Sequence, residues 1–588
     1  MISLPCVRET DAAIENFTFL HMGSKGMFDV RGSGDKPLIA SFLIIGGKDM
    51  PLSNLTWTRS EHWIPHFTGE AENFKINGTI LTPVDERGFG IKLEIKNIGG
   101  TSAEAGVGLK LCWGSVFHSV NEDKFVDAPK HAYESFWNRG YIFDMRCGTP
   151  LFAFAPMTVE EDAQIILLSG GKGRASNDVF CNITREKVVE PGETLTLTTF
   201  WGIGFEEVAA ATSAQEMLRQ GWDFEMNATI SWLKERIYNL PDPKLTKLYN
   251  ENLFFCLFYA SGITVDTEEL ALMTSRSPRY YVSAAYWDRD SLLWAFPAVL
   301  DADTELAREM LLYVFGRQCR NIGIHSRFID GTVLEPGFEL DELMAPVIAL
   351  NKYVEKTGDK SILERTDVSE GIASILRKLA KRKHEKISLF STFLQPTDDM
   401  NVYPYLTYDN ALVWYSLSAI DELYPGRFEC PASPKDVMEA IWTHCVKEID
   451  GEKRFAWSLD LENNFDVYDE PPGSLLLLPY YGFCELDNPI YVATSALIRS
   501  EKYKYSFAES PIAEIGCAHA PHPWVLSIAN SLLCGHKESA LKHLSLIEMD
   551  NGIACESVDE STGECTTGAA FATCAGFLCH ALRVTCGE

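Results

Sequence analysis

The sequence predicts an α+β multidomain protein: an N-terminal antiparallel β-sandwich over residues 1–205, a helical linker over 206–240, and an (α/α)6 barrel over 241–588. Three observations carry that expectation. The apolar period is two up to about residue 205, becomes helical beyond about 241, and then recurs in roughly eleven helical segments with long loops between alternate pairs.

In the first part, "GIKLEIKNIGG" sets Ile91, Leu93 and Ile95 against Lys92, Glu94 and Lys96, as a half-buried strand requires. "KPLIASFLIIGG", "FKINGTILTP" and "ETLTLTTFWGIGF" read the same way, with Gly, Pro and Asn punctuation between them. The stretch 206–237 then turns helical. After it, "DPKLTKLYNENLFFCLFYA" places Leu245, Leu248, Tyr249, Leu253, Cys256 and Leu257 on one face. "DELMAPVIALNKYVEKTGD" carries an apolar stripe ended by Gly358, and "ASPKDVMEAIWTHCVKEI" offers Ser433 as N-cap and Pro434 at the first helical position. Helical hairpins joined by alternating short and long loops suit a toroid whose long loops gather at one rim and carry function.

Composition narrows the function classes. The chain has 588 residues, 46% hydrophobic and 23% charged, with a net charge of −30, which disfavours nucleic acid and anionic membrane surfaces. No apolar run approaches the ~18 residues of a membrane span, and "MISLPCVRETDAAIENF" shows no basic-then-apolar leader. Sixteen cysteines lie scattered with no CxxC pair, as reduced small hydrophobes do, so a cytoplasmic location is expected in spite of five Asn-x-Thr sequons.

The chemistry gathers in the helical part. "YYVSAAYWDRDSLLWAFP", 280–297, alternates Asp288, Arg289 and Asp290 beside Trp287, with Asp290 or Ser291 a possible helix cap. "FLQPTDDMNVYPYLTYDN", 393–410, sets Asp398 next to Asp399 among Tyr403, Tyr405 and Tyr408. "DEPPGSLLLLPYYGFCELDNPIY" reads as core packing, and "DNGIACESVDESTGECTTGAAF" puts Glu556 ahead of a turn-rich loop. His519 and His522 form an H-x-x-H pair, but Pro521 and Pro523 forbid the helix a zinc frame needs, so neither metal nor cofactor is expected. No P-loop, dinucleotide fingerprint or G-x-S-x-G elbow appears. What remains is carboxylates and aromatics: rings pack against a sugar's C–H face, and paired acids cleave glycosidic bonds.

In order and wording these motifs resemble glycoside hydrolase family 125, the metal-independent exo-α-mannosidases. The matching stretches are "WDRDS" at 287–291, "PTDDMNVYPYLTYDNALV" at 396–413, "PPGSLLLLPYYGF…DNPIY" at 471–491, "EIGCAHAPHPW" at 514–524 and "GIACESVD" at 552–559. The resemblance implies an inverting exo-hydrolase on an oligosaccharide or glycoside, α-mannoside favoured and α-glucoside possible. It places the general acid at Asp398 or Asp399 and the general base at Glu556. By the same carry-over Arg289 and Asp290 line the sugar pocket, with His522 and Trp524 nearby. Trp287, Tyr403 and Tyr405 are read as its aromatic wall and floor. Two departures stand out: the small, apolar "TTGAAFATCAGF" after the base, and the sandwich-like first part, which resembles that of bacterial glucoamylases. A sugar phosphorylase or polysaccharide lyase on a similar toroid, or an inactive carbohydrate-binding relative, are the competing readings. On charge alone, Asp399 is expected to keep Asp398 protonated by like-charge repulsion, with the tyrosines adding desolvation.

Overall fold

The computed structural model describes residues 2–147, 149–169 and 177–587. The chain forms two compact units. The first runs to Ile237 and includes Gly262–Glu269 and Arg276–Pro278; the second comprises Tyr238–Ser261, Leu270–Ser275 and the chain from Arg279 onward.

Among the described residues the first unit is built on two antiparallel sheets, of ten and eight strands. Strand Gly88–Asn97 buries Ile91, Leu93 and Ile95 and turns Lys92, Glu94 and Lys96 outward, as its alternation predicts. It pairs with Thr194–Gly204 so that Leu93 faces Leu197 and Ile95 faces Leu195. The two sheets share one core. Phe17 and Phe19, from Ile14–His21 of the larger sheet, meet Phe89, Phe154 and Phe152 of the smaller at ring-centroid distances of 6.2, 5.6 and 4.8 Å. Such tilted and edge-on aromatic contacts add to the gain from burial.

The helical stretch 206–237 forms Glu207–Gln220, capped by the Glu206 carboxylate on the N–H groups of Val208 and Ala209, and Trp222–Arg236. Ala210, Ala211 and Ala214 pack the first of these against Ala153, Ala155 and Met157. The approach is close enough to require glycine at Gly202, where a Cβ would stand 2.2 Å from the Ala210 carbonyl oxygen.

The second unit contains eleven α-helices among its described residues, from Pro243–Tyr259 to Ala572–Cys586. Ser433 accepts from the Asp436 N–H and Pro434 opens its helix, while Gly358 ends Leu340–Thr357 at φ 70°. On the first helix Tyr249, Leu253, Cys256 and Leu257 are buried, and Leu245 and Leu248 only partly so. The first and last helices lie side by side: the Cys579 thiol donates to the Tyr249 carbonyl (3.2 Å), and a Cβ on Gly576 would meet Cys256 Sγ at 2.7 Å. Among the described residues no helix is long and apolar enough to cross a membrane.

Candidate active site

The second unit buries a network of charge around Arg289. Asp288, Arg289 and Asp290 are all buried, and they lead into π-helical turns, Arg289–Ala295, continuous with the helix Phe296–Ala302. Neither Asp290 nor Ser291 caps a helix here; the widened turn recurs at functional sites. Arg289 donates from Nη1 to Glu339 (2.6 Å) and Asp341 (3.0 Å), and from Nη2 to Asp398 (2.5 Å). Its backbone N–H donates to Glu342 (3.0 Å). Arg327 pairs with Asp288 and stands 3.6 Å from Glu342, while His325 Nδ1 lies 2.6 Å from Glu339 and 3.5 Å from Asp398.

Glu339, Asp341 and Glu342 stand at the N-terminus of Leu340–Thr357, where the helix end also favours negative charge. Three cations nonetheless face six buried or half-buried carboxyls. Burial therefore pushes Asp290 up to about 7 and Glu342 well above its ordinary range, with Arg289 opposing in both cases. His325 is raised to about 11: burial lowers it, but Asp398 and Glu339 outweigh that.

Asp398 comes to this network on a tight turn. Asp398 N–H donates to the Gln395 carbonyl (2.8 Å) and Gln395 N–H to that of Asp399 (2.9 Å). Thr397 anchors the turn, donating from its N–H (2.8 Å) and hydroxyl (2.7 Å) to buried Glu470. Asp398 itself sits at φ 68°, a left-handed conformation that Asp tolerates better than most residues. Its charge state departs from expectation. Burial raises its pKa, but Arg289 and His325 prevail and hold it below the ordinary carboxylate range, so like-charge repulsion does not keep it protonated. Asp399, with its side chain 48% exposed, pairs instead with His519 (3.4 Å).

Glu556 occupies a different socket. It precedes a two-stranded hairpin, Ser557–Val558 paired with Cys565–Thr567, and its N–H reaches the carbonyls of Thr567 and Gly568 (3.2 Å each). Its carboxylate accepts from Tyr281 OH (2.7 Å) and Thr567 Oγ1 (3.2 Å). Gly568 lies against it at φ 61°, where a Cβ would stand 2.8 Å from Oε2. Burial raises its pKa, the Tyr281 hydrogen bond and His519 pull it down, and the charge of Asp398 pushes it up again. Glu556, Asp398 and His519 thus share one electrostatic field, although about 160 positions separate Asp398 from Glu556 in the sequence.

The remaining expected residues divide. Trp287 is buried with its ring edge-on to His325 (5.6 Å), and its Nε1–H has no hydrogen-bond partner among the described residues. Asp290 accepts from Thr573 (3.0 Å). Trp524 is buried, donates to the Ala520 carbonyl (3.0 Å) and stands edge-on to His519 at 6.4 Å. His522 turns to Glu560 (3.0 Å) and stacks on Phe507. Tyr405 packs edge-on to His384 (5.9 Å), Tyr403 is half-buried, and Tyr408 is buried against Tyr481 within the field of Asp341 and Arg289. Tyr281, His325, Glu339, Asp341, Glu342 and Glu470 were not singled out by sequence reasoning. The visible signal for three of them is "FELDEL", three acids opening an otherwise apolar helix.

His325, Glu339 and Asp398 bring their donor atoms within 4.8 Å of one another, close enough to hold a metal. The donor set fits one poorly. Both carboxylates already accept from Arg289, and the imidazole is held protonated between them, so a dication would face a guanidinium.

Residues 380–582 match the family model for metal-independent alpha-mannosidases, glycoside hydrolase family 125. That span takes in Asp398, Asp399, Glu470 and Glu556, bears out the resemblance drawn from the motifs, and supports a glycoside hydrolase. Meiotically up-regulated gene 157 protein of Schizosaccharomyces pombe is 27% identical over 193 residues, covering 30% of this chain and 37% of that protein's length. Among solved structures, a metal-independent alpha mannosidase of Streptococcus pneumoniae, in a non-productive complex with alpha-1,6-mannobiose, superposes with a TM-score of 0.51 at 19% identity. It covers 58% of this chain and 94% of its own. A bacterial glucoamylase complexed with acarbose gives 0.62 at 13% identity, over 99% of this chain and 93% of its own. A human-microbiome protein assigned as a kojibiose phosphorylase gives 0.61 at 10%, over 95% and 79%. The last two likenesses extend through both units and concern the fold.

Proposed function

We propose that the protein is an inverting exo-glycosidase acting on α-linked sugars, α-mannosides before α-glucosides, with the first unit a β-sandwich and the second an (α/α)6 barrel. One observation carries the reading: within a stretch matching family 125, Glu556 sits in a buried polar socket inside the field of the Asp398 turn. The contact between first and last helices is what a closed toroid requires. In this reading Glu556 takes a proton from the attacking water as the bond to the anomeric carbon forms. A base whose pKa is raised towards neutrality accepts that proton more readily, provided it is ionised. The proton for the departing oxygen comes from the Asp398–Asp399 turn. Arg289 and His325 keep Asp398 ionised and suited to holding sugar hydroxyls, which leaves the donor's part to Asp399 by elimination. The absence of CxxC pairs among sixteen cysteines supports a reducing, cytoplasmic setting.

Release of mannose from α-linked mannobiose, followed by proton NMR, tests both reaction and stereochemistry. Inversion requires the β-anomer before mutarotation, and first appearance of the α-anomer rejects the carboxylate roles. D399N should lose activity on mannobiose while keeping far more on aryl mannosides whose leaving group needs no proton. If D398N shows that signature instead, Asp398 is the acid. The likeness to a phosphorylase favours a second reading, phosphorolysis, which a requirement for inorganic phosphate and a sugar-1-phosphate product would establish.

A further inference from the structure

One hydroxyl in the Asp398 turn faces two carboxyls. Thr397 Oγ1 lies 2.7 Å from Glu470 Oε2 and 3.3 Å from Asp399 Oδ2, and the side-chain nitrogen of Gln395 stands 3.2 Å from the same oxygen. The indole N–H of Trp457 donates to Gln395 Oε1 (3.3 Å), so that amide turns its NH2 towards Thr397. A hydroxyl has one proton to give and two lone pairs with which to receive. Gln395 fills one lone pair. One proton and one lone pair remain for two carboxyl oxygens, so the junction is complete only when one of those carboxyls is protonated and donates.

Glu470 is the carboxyl placed to hold that proton. It is fully buried, its Oε1 accepts from the Thr397 N–H (2.8 Å), and among the described residues it forms no ion pair. Burial pushes its pKa well above the ordinary range and Asp469 adds to that, against the Thr397 hydrogen bonds and the field of Arg289. Asp409, Tyr468, Tyr503 and Cys517 share that field and bring no positive charge. Asp399 is its opposite, half exposed and paired with His519.

We propose that Glu470 stores the proton that Asp399 delivers to the leaving oxygen, and that the Thr397 hydroxyl passes it between them. The proposal rests on the glycosidase reading, with Asp399 as donor. Substrate seated over Asp399 removes the water that solvates its charge and, with it, the water that could protonate it. The Glu470 O–H bond then breaks as its proton moves to Thr397 Oγ1, while the Thr397 O–H bond breaks as its own proton moves to Asp399 Oδ2. Thr397 ends neutral, and Glu470 is left a carboxylate accepting from both the N–H and the hydroxyl of Thr397. Asp399 gives its new proton to the oxygen of the breaking glycosidic bond, which keeps the bonding electron pair. Once product leaves, Asp399 takes a proton from water and the same two hops run inward. Glu470 touches no substrate; it acts through Asp399.

The storage half of the test needs no activity. In the infrared spectrum of the full-length protein at neutral pH, E470Q should remove one carboxylic-acid C=O band. If no band is lost, Glu470 holds no proton and the proposal falls. The transfer half compares two leaving groups. T397V keeps the N–H to Glu470 and removes the hydroxyl, so kcat on α-linked mannobiose should fall about 10²-fold with KM little changed, and T397S should restore it. On aryl mannosides whose leaving group needs no proton, the loss in T397V should be far smaller. Equal losses on both substrates would make Thr397 a structural anchor of the turn, and full activity of T397V on mannobiose would show that nothing passes through it; either result overturns the proposal. So does an acid's signature in D398N in place of D399N, which leaves the store without its donor. Wild-type protein inactive on every α-glycoside rejects the glycosidase function instead, and the infrared result on Glu470 then stands by itself.

Discussion

The Asp398 turn and the Glu556 hairpin both place a carboxyl where water is scarce, and they stabilise it in opposite ways. Asp398 is met by full positive charges, the guanidinium of Arg289 and the imidazolium of His325, and stays ionised. Glu556 is met by the hydroxyls of Tyr281 and Thr567, and burial raises its pKa against their hydrogen bonds and the field of His519. Charge partners fix a protonation state; dipolar partners leave it adjustable. A group that must pick up and release a proton at near-neutral pH belongs in the second setting, while a group that only holds and orients belongs in the first.

The comparison breaks most sharply at Glu556. E556Q keeps the shape and lets Tyr281 still donate to the amide oxygen, but it cannot accept a proton. Turnover on an α-linked mannobiose should fall about 10²–10⁴-fold, with circular dichroism and thermal midpoint unchanged. Near-normal turnover would remove Glu556 from the reaction. On the other side of the comparison, R289M strands Glu339, Asp341 and Asp398 without their shared cation. Removing one partner of a buried ion pair costs about 3–5 kcal/mol, so the urea midpoint should drop steeply, and less at acid pH where the stranded carboxyls protonate. An unchanged midpoint would show the network to be dispensable to the fold.

What was legible in the sequence follows the same division. Regular elements announced themselves through period and caps: Ile91, Leu93 and Ile95 alternate into the sheet core, and Ser433 and Gly358 cap the helices expected of them. The candidate carboxyls are visible because acids and aromatics crowd into a few loops. Their partners are not. Glu339, Asp341 and Glu342 look like an ordinary acidic first turn until Arg289, some 50 positions earlier, is brought against them. The orientation of Tyr403 and Tyr405 is illegible in the sequence for a related reason. Outside a helix or strand no periodicity says where a ring points, and Tyr405 packs on His384 while Tyr281, unremarked in the pair Tyr280–Tyr281, reaches the candidate base.

Tyr281 supplies the smallest and most discriminating effect. Its residue is 50% exposed, yet its hydroxyl lies 2.7 Å from Glu556 Oε2, so Y281F removes one hydrogen bond and little packing. That bond favours the ionised carboxylate, and without it the already raised pKa of Glu556 climbs further. A general base works only when ionised, so the acid limb of kcat/KM should move to higher pH by the same amount, with the plateau above it reduced only a few-fold. Stability moves with the opposite sign. A carboxyl whose folded pKa lies above its unfolded value contributes stability fully below the unfolded pKa and loses it as pH rises through the folded one. Y281F should therefore be destabilised more at pH 8 than at pH 4 relative to wild type. A destabilisation equal at both pH values, with the acid limb unmoved, would mean that Tyr281 merely packs beside Glu556 and does not tune it.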